Sequence, residues 1–176
     1  MDRVFVRSLL PLSMMMMTMM VMFPSIEAAS SSGGGTLTSF KALLGGLTTG
    51  QQVKAVYNYQ LCSSGNSSAP GPDAQGGLVI GTFEYFGASL FGQELLAFSD
   101  NQLIRNYFGS SLTKDPHFYD YVKTSVFADG SVRVDVDYIS LEGDKVLLSE
   151  FFVCQINDGS NKGGVTFYAL NSACNS

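Results

Sequence analysis

From residue 53 onward, the chain carries short apolar runs rich in Val, Ile, Tyr and Phe, separated by clusters of Gly, Asn, Asp and Pro. Such runs are typical of strands, because β-branched and aromatic side chains pack well on a pleated surface. Because no helical segment is long enough to serve as a crossover, the strands are expected to pair antiparallel, in a mainly all-β sandwich or barrel. We predict seven or eight strands, at 53–62, 78–86, 95–99, 102–105, 119–127, 132–141, 146–156 and 165–170.

One hairpin can be predicted to its register. In the run 132–138, apolar residues alternate with charged ones, which gives one buried and one solvated face. A two-residue turn would set the apolar side chains of the preceding strand against the charged face. A three-residue loop at 128–130, with its glycine left-handed, places Val126 opposite Val132 and matches both faces. The pattern therefore favours the three-residue loop.

Two further elements follow from local pattern. Thr38 and Ser39 can cap one short N-terminal helix over 40–44, and the glycine pair that follows is expected to end it. The run 146–152 is largely apolar at successive positions, which predicts a central strand covered on both faces.

Residues 1–28 differ in composition from the rest of the chain and predict a secretory signal peptide. Arg3 and Arg7 precede an apolar run over 9–23, and small residues follow around Ala28. That run is shorter than the roughly twenty residues that a membrane-spanning helix needs. We expect cleavage after Ala28 and release of a secreted, extracellular chain without a membrane anchor.

Beyond the leader, we expect a flexible Ser/Gly-rich tail over 29–37 and a single domain over 38–176. The formal net charge of the chain is −5. This mild acidity argues against nucleic-acid and membrane partners, because both require a basic patch. The expected partner is an extracellular protein or matrix whose identity the composition does not reveal.

Three cysteines lie outside the leader: Cys62, Cys154 and Cys174. In an oxidising compartment we expect one disulfide and one remaining thiol, with the connectivity left open. Asn66 begins an Asn-X-Ser sequon in the loop 63–77, whose Ser, Gly and Pro content indicates exposure. Asn66 is therefore a candidate N-glycosylation site if the source is eukaryotic.

Six short motifs follow one another along most of this domain. They are VKAVYNYQLC at 53–62, GGLVI at 76–80, LAFSD at 96–100, DGSV at 129–132, EFFVCQI at 150–156 and GVTFYA at 164–169. Their order resembles the VirK family of secreted proteins, over about Ser39 to Ala169. The resemblance implies a small exported β-rich domain without an established biochemical activity. It also implies two recurring cysteines, which match Cys62 and Cys154.

If Cys62 and Cys154 pair, they close a loop of roughly ninety residues, worth about 4 kcal/mol in the chain-entropy model. Cys174 would then be a free thiol, a thiol paired with a small thiol molecule, or the link of a disulfide-bonded homodimer. A rival pairing of Cys154 with Cys174 would close a C-terminal loop, and at this point it is left open.

Motifs for catalysis and cofactor binding are missing from the sequence. The only histidine is His117, in a predicted loop, which excludes a multi-histidine metal site. There is no Gly-X-Ser-X-Gly elbow and no glycine-rich phosphate loop followed by a helix. We therefore expect no catalytic residue, no metal and no cofactor.

Carboxylates are the remaining candidates for chemistry. Asp135 and Asp137 share a face with Arg133, which favours a solvated charged face over a calcium or substrate site. Glu150 lies in an apolar run, where an unpaired buried charge would be costly. It is either a buried acid in a ligand cavity or a residue at the rim with its carboxylate in water, and we favour the rim.

These features favour a secreted, non-enzymatic protein that is an extracellular binding or structural matrix component. The alternative is a small-ligand carrier with a cavity inside the β core and Glu150 at its wall. A third hypothesis is a hydrolase that uses two carboxylates about 5 to 9 Å apart.

Overall fold

The computed structural model describes residues 35–65, 67–106, 114, 116–142 and 145–170. The chain divides into two units, Met1–Ser30 and Ser31–Ser176, and every described residue belongs to the second. The signal peptide, most of the predicted tail, Asn66 and Cys174 lie outside the described residues. The expectations about them stay predictions.

The described residues form ten strands, two short α-helices and one 3-10 helix. The helices are α1 (Phe40–Thr48), the 3-10 helix (Tyr59–Leu61) and α2 (Ala88–Phe91). The strands are β1 (Thr36–Leu37), β2 (Val53–Asn58), β3 (Ser63–Ser64), β4 (Gln75–Ile80), β5 (Glu84–Phe86), β6 (Leu95–Arg105), β7 (His117–Phe127), β8 (Ser131–Ile139), β9 (Val146–Gln155) and β10 (Val165–Ala169).

The strands pair into two antiparallel sheets that pack face to face. The sheet β1-β10-β2-β4, here called the short sheet, has main strands of five or six residues. The sheet β3-β9-β8-β7-β6-β5, the long sheet, has four central strands of nine to eleven residues. The all-β prediction is confirmed, in its sandwich form.

The hairpin of β7 and β8 has the predicted register. Val126 lies opposite Val132, and Lys123 lies opposite Asp135. Gly130 has a φ of 84°, the left-handed backbone that glycine adopts without steric cost.

The inner face of the long sheet is the face that packs against the short sheet. Because the register is regular, its side chains form four rows across β6, β7, β8 and β9. Row 1 is Leu96, Val126, Val132 and Cys154; row 2 is Phe98, Thr124, Val134 and Phe152; row 3 is Asp100, Val122, Val136 and Glu150; row 4 is Gln102, Asp120, Tyr138 and Leu148. Every member of rows 1 and 2 is buried. Row 3 carries a half-buried and an exposed carboxylate at its two ends, and no member of row 4 is buried. The inner face therefore changes from apolar to polar between rows 2 and 3.

The short sheet covers the two apolar rows. The hydroxyls of Tyr57 on β2 and Thr124 in row 2 form a hydrogen bond of 2.8 Å between the sheets, and both residues are buried. The ring of Phe167 on β10 meets that of Phe98 edge to face at 6.3 Å. These contacts fix the distance between the sheets at row 2.

A disulfide joins Cys62 to Cys154, across 92 positions of the chain. This is the pairing implied by the family resemblance, and the rival bond from Cys154 to Cys174 is not formed. Cys62 directly follows the 3-10 helix, where the chain leaves the short sheet, whereas Cys154 is in row 1 of the long sheet. A side chain at Gly164 would collide with the Cys62 sulfur, so close packing surrounds the bond.

Two predictions at the start of the domain are wrong. Helix α1 continues through the glycine pair to Thr48, because Leu47 is buried on the same face as Phe40 and Leu43. The flexible tail does not extend to residue 37, since Thr36 and Leu37 pair with β10 as strand β1. The predicted cap is present, because the Ser39 hydroxyl oxygen accepts a hydrogen bond from the Ala42 N–H at 3.2 Å.

The prediction for the run 146–152 is also wrong. Strand β9 is not covered on both faces: Val146, Leu148 and Val153 are 54%, 36% and 44% exposed. Its outer neighbour β3 pairs with it at only two positions, and the short sheet does not reach its first half. Apolar composition alone therefore overstated its burial.

We predict that replacing Cys62 and Cys154 together with alanine lowers the free energy of unfolding by about 4 kcal/mol. The reason is that the bond restricts a long loop in the unfolded chain. The comparison is made by urea unfolding in a Cys174→Ala background, which removes the remaining thiol from both proteins. An unchanged midpoint would contradict the prediction.

We predict that Tyr57→Phe and Thr124→Val each cost about 1 to 3 kcal/mol of stability, because each leaves one buried hydroxyl without its partner. The double variant should lose less than the sum of the two, since neither hydroxyl remains. Equilibrium unfolding of the four proteins measures this coupling. Strictly additive losses would show that the bond does not couple the sheets.

Candidate functional site

A partly open cleft of about 240 Å³ lies over rows 3 and 4 of the long sheet. It forms where the short sheet ends, because Asn58 at the end of β2 pairs with Gln75 at the start of β4. The opposite wall consists of Tyr57, Tyr59, Pro72 and residues 74–78. The site is thus the part of the inner face that the shorter sheet leaves uncovered.

The floor of the cleft is acidic. Asp100, Asp120 and Glu150 contribute three carboxylates, all from strands of the long sheet. The described lining residues include no lysine, arginine or histidine. Lys54 approaches the wall residue Gly77 but lies on the outer, exposed face of the short sheet. The cleft therefore concentrates negative charge without an internal counter-charge.

The carboxylates of Asp100 and Asp120 differ in their hydrogen bonding. Asp100 accepts hydrogen bonds from the Asn101 N–H at 2.9 Å and from the Gln102 amide at 2.7 Å. The Oδ1 atom of Asp120 is buried and accepts no hydrogen bond. Burial raises the pKa of the Asp120 carboxyl, and the nearby negative charge of Asp100 raises it further.

Tyrosines form the aromatic part of the cleft. The rings of Tyr57 and Tyr59 stack at 6.0 Å, and Tyr59 packs on Phe152 at 4.7 Å. Burial raises the pKa of Tyr59, with smaller contributions from the charges of Asp120 and Tyr138. Burial likewise raises the pKa of Tyr138, followed by the charges of Asp120 and Glu150. Burial, the largest cause of each shift, disfavours the charged form of these groups, and the neighbouring carboxylates add a smaller cost that is specific to negative charge.

Glu150 is the one predicted site residue that lines the cleft. It is exposed, so the hypothesis of a buried acid is wrong, because β9 lies near the edge of the long sheet. Its carboxylate lies at the end of row 3, which is the rim position that we favoured.

The other carboxylates that the sequence suggested lie on the opposite face. Arg133 donates two hydrogen bonds to Asp135 Oδ1, at 2.9 Å from Nε and 2.7 Å from Nη2, and its guanidinium lies over the Phe151 ring at 4.3 Å. Asp137 is on the same outer face of β8. This is the solvated charged face that the alternation predicted. His117 is exposed at the start of β7 and not in a loop.

Asp100, Asp120 and Tyr138 line the cleft but are not among the residues predicted from the sequence. The signal was present in the hairpin register, since extending the pair Val126 and Val132 by six residues places Asp120 opposite Tyr138 on the inner face. What the sequence could not provide was the length of the opposing sheet, which decides whether those positions are covered.

A second, more open groove of about 470 Å³ runs past Glu84, Ser99, Tyr121 and Lys123. It carries charges of both signs and little apolar wall, so it selects for no ligand class. Among the described residues, no three His, Cys, Asp or Glu side chains converge as metal ligands.

Comparison with known proteins identifies relatives of the chain. The family model described as VirK protein matches residues 36–144, more than half of the chain. The crystal structure of a VirK family protein from Legionella pneumophila superposes with a TM-score of 0.58 at 15% identity, covering 75% of this chain and 97% of that one. No curated protein matches the chain. No helix in the described part is both long and apolar enough to cross a membrane.

We predict that Asp120→Asn stabilises the fold at neutral pH. The raised pKa means that folding favours the protonated carboxyl. The wild type therefore loses stability as the pH rises from 3.8, the ordinary value, through the raised value, whereas the variant does not. Thermal unfolding at pH 7 should show a higher Tm for the variant, and the difference should shrink below pH 3.8.

The matched control is Asp137→Asn, on the outer face of the neighbouring strand. It should change the Tm at pH 7 less than Asp120→Asn does. Equal effects of the two substitutions, or a lower Tm for Asp120→Asn, would contradict the prediction that the ionised Asp120 carboxylate destabilises the fold.

Proposed function

The chain belongs to the VirK family, and we propose that it is a secreted, non-enzymatic extracellular protein that binds a small ligand in the cleft over rows 3 and 4. The leader over residues 1–28 supports secretion. The observation that carries the binding role is the uncovered, concave and polar end of an otherwise apolar inner face. Ligand sites in proteins are concave, with apolar walls and a few convergent polar groups.

Binding agrees with the cleft better than hydrolysis does. A glycoside hydrolase places its two carboxyl groups on opposite sides of the bond that it cleaves. Here all three carboxylates come from the floor, and the wall residues from the short sheet offer tyrosines, a glutamine and small residues. A substrate lying in the cleft would meet acids on one side only. In this proposal the ligand lies in a partly open cleft, whereas the carrier hypothesis required a cavity inside the β core.

To test the ligand site, the protein is incubated with the low-molecular-mass fraction of the extracellular fluid of its source and examined by native mass spectrometry. We expect a retained small molecule on the wild type. Val122→Phe, which fills the floor between the carboxylates of row 3, should abolish retention. Lys123→Phe, the next residue on the outer face, should leave it intact. Retention by Val122→Phe, or none by the wild type, would overturn the proposal.

The intact mass of the secreted protein tests the extracellular assignment. We expect a chain that begins at Ala29, with one internal disulfide. Treatment with a glycosidase should reveal any glycan at Asn66. A mass that retains residues 1–28 would contradict secretion.

A structural or matrix role is the second candidate. It draws on one observation: the bond between Cys62 and Cys154 leaves Cys174 as the cysteine available to another chain. Under non-reducing conditions a dimer that dissociates on reduction, in wild type but not in Cys174→Ala, would support an assembly role. A monomer under both conditions would contradict the assembly role, and ligand binding would be the remaining candidate.

A further inference from the structure

The arrangement of charge along row 3 has a particular chemistry. Asp100 and Glu150 lie at its two ends, and Val122 and Val136 lie between them. With strands about 4.8 Å apart, three strand spacings separate the end residues by about 14 Å. All four residues line the cleft. The floor is therefore an apolar strip with a carboxylate at each end.

Row 4 adds a hydrogen-bond acceptor that has no donor. The Asp120 Oδ1 atom is buried and accepts no hydrogen bond, although buried acceptors in proteins are normally paired. No cationic side chain of the described lining residues is available to it. A bound ligand that carries an N–H group would supply the missing donor, and a positively charged one would do so most strongly.

Aromatic rings stand beside this acceptor. Asp120 lies directly opposite Tyr138 across β7 and β8, and Tyr59 lines the same cleft. Tyrosine faces attract cations through their ring quadrupole. Three carboxylates and tyrosine rings, with no cationic side chain among the described lining residues, favour an ammonium group over an anion.

We propose that the ligand of the cleft is an aliphatic chain that carries ammonium groups, such as a linear polyamine, with its methylenes on Val122 and Val136 and its ammonium groups at Asp120 and the ends of row 3. This inference rests on the proposed function of the cleft as a ligand site. A metal ion is the weaker candidate, because the described carboxylates do not converge as ligands. The same ammonium chemistry occurs in free polyamines and in lysine side chains of polypeptides.

Isothermal titration calorimetry of the full-length secreted protein, at constant ionic strength, tests the inference. The probes are spermidine, n-butylamine, calcium and a short lysine-containing peptide. We expect spermidine to bind at least tenfold more tightly than n-butylamine, which can engage only one carboxylate. Asp120→Asn should weaken both amines at least tenfold. Glu150→Gln should weaken spermidine but not n-butylamine, because it removes only the distant anchor.

Asp137→Asn, an outer-face carboxylate substitution of the same charge change, should leave the affinity for spermidine unaltered. If it weakens binding as much as Asp120→Asn does, the attraction is a general charge effect and the inference fails. Calcium binding without amine binding would also overturn it. Binding of the lysine peptide in preference to spermidine would support the ammonium chemistry and identify a polypeptide as its source.

The two proposals fail in different ways. If Val122→Phe abolishes retention of an extracellular molecule while neither amine nor the lysine peptide binds, the cleft is a ligand site for another class of ligand. If Val122→Phe changes nothing and no probe binds, the cleft is not a ligand site. Circular dichroism of each variant confirms that it is folded before titration.

Discussion

The unequal length of the two sheets is the constraint on which the rest of the structure depends. The central strands of the long sheet have nine to eleven residues, whereas β2, β4 and β10 have five or six. At about 3.3 Å per residue, the strands of the long sheet are some 10 to 20 Å longer than those of its partner. Inner-face side chains in that extension have no opposing sheet. In rows 3 and 4 the face becomes polar where the cover ends, although Phe118 beyond them is buried against the ring of Tyr138.

Two interactions hold this boundary in place. The bond between Tyr57 and Thr124 fixes the sheets at row 2, the last covered row. The disulfide of Cys62 holds the segment that leaves the short sheet, and this segment includes Tyr59 of the cleft wall. Tyr57 itself lines the cleft, and the Cys62 N–H donates a hydrogen bond to the carbonyl of the wall residue Tyr59, so stability and site geometry share residues. The cleft is therefore built on paired strands and held by a covalent link, so its shape does not depend on a bound molecule.

Elements governed by local sequence were predicted well, and those governed by distant packing were not. The hairpin of β7 and β8 was predicted to its register because alternation and turn chemistry lie within a few residues. Helix α1 passes through its glycines because Leu47 is buried against the sheets, a gain that outweighs the local helix-ending signal. The run 146–152 is apolar yet largely exposed, because burial depends on what lies opposite. Glu150 was identified as a candidate, but its companions Asp100 and Asp120 were not.

By itself, the sequence determined the strand class, the antiparallel pairing, one hairpin register and the resemblance to VirK proteins, since each depends on alternation, turn residues or motif order along the chain. Only the tertiary structure decided which polar residues share a site. Asp100, Asp120 and Glu150 come from three different strands, and register across the whole sheet brings them to one face. Whether that face is core or cleft depends on where β2 and β4 end. That is a property of two sheets packed together, which no local pattern encodes.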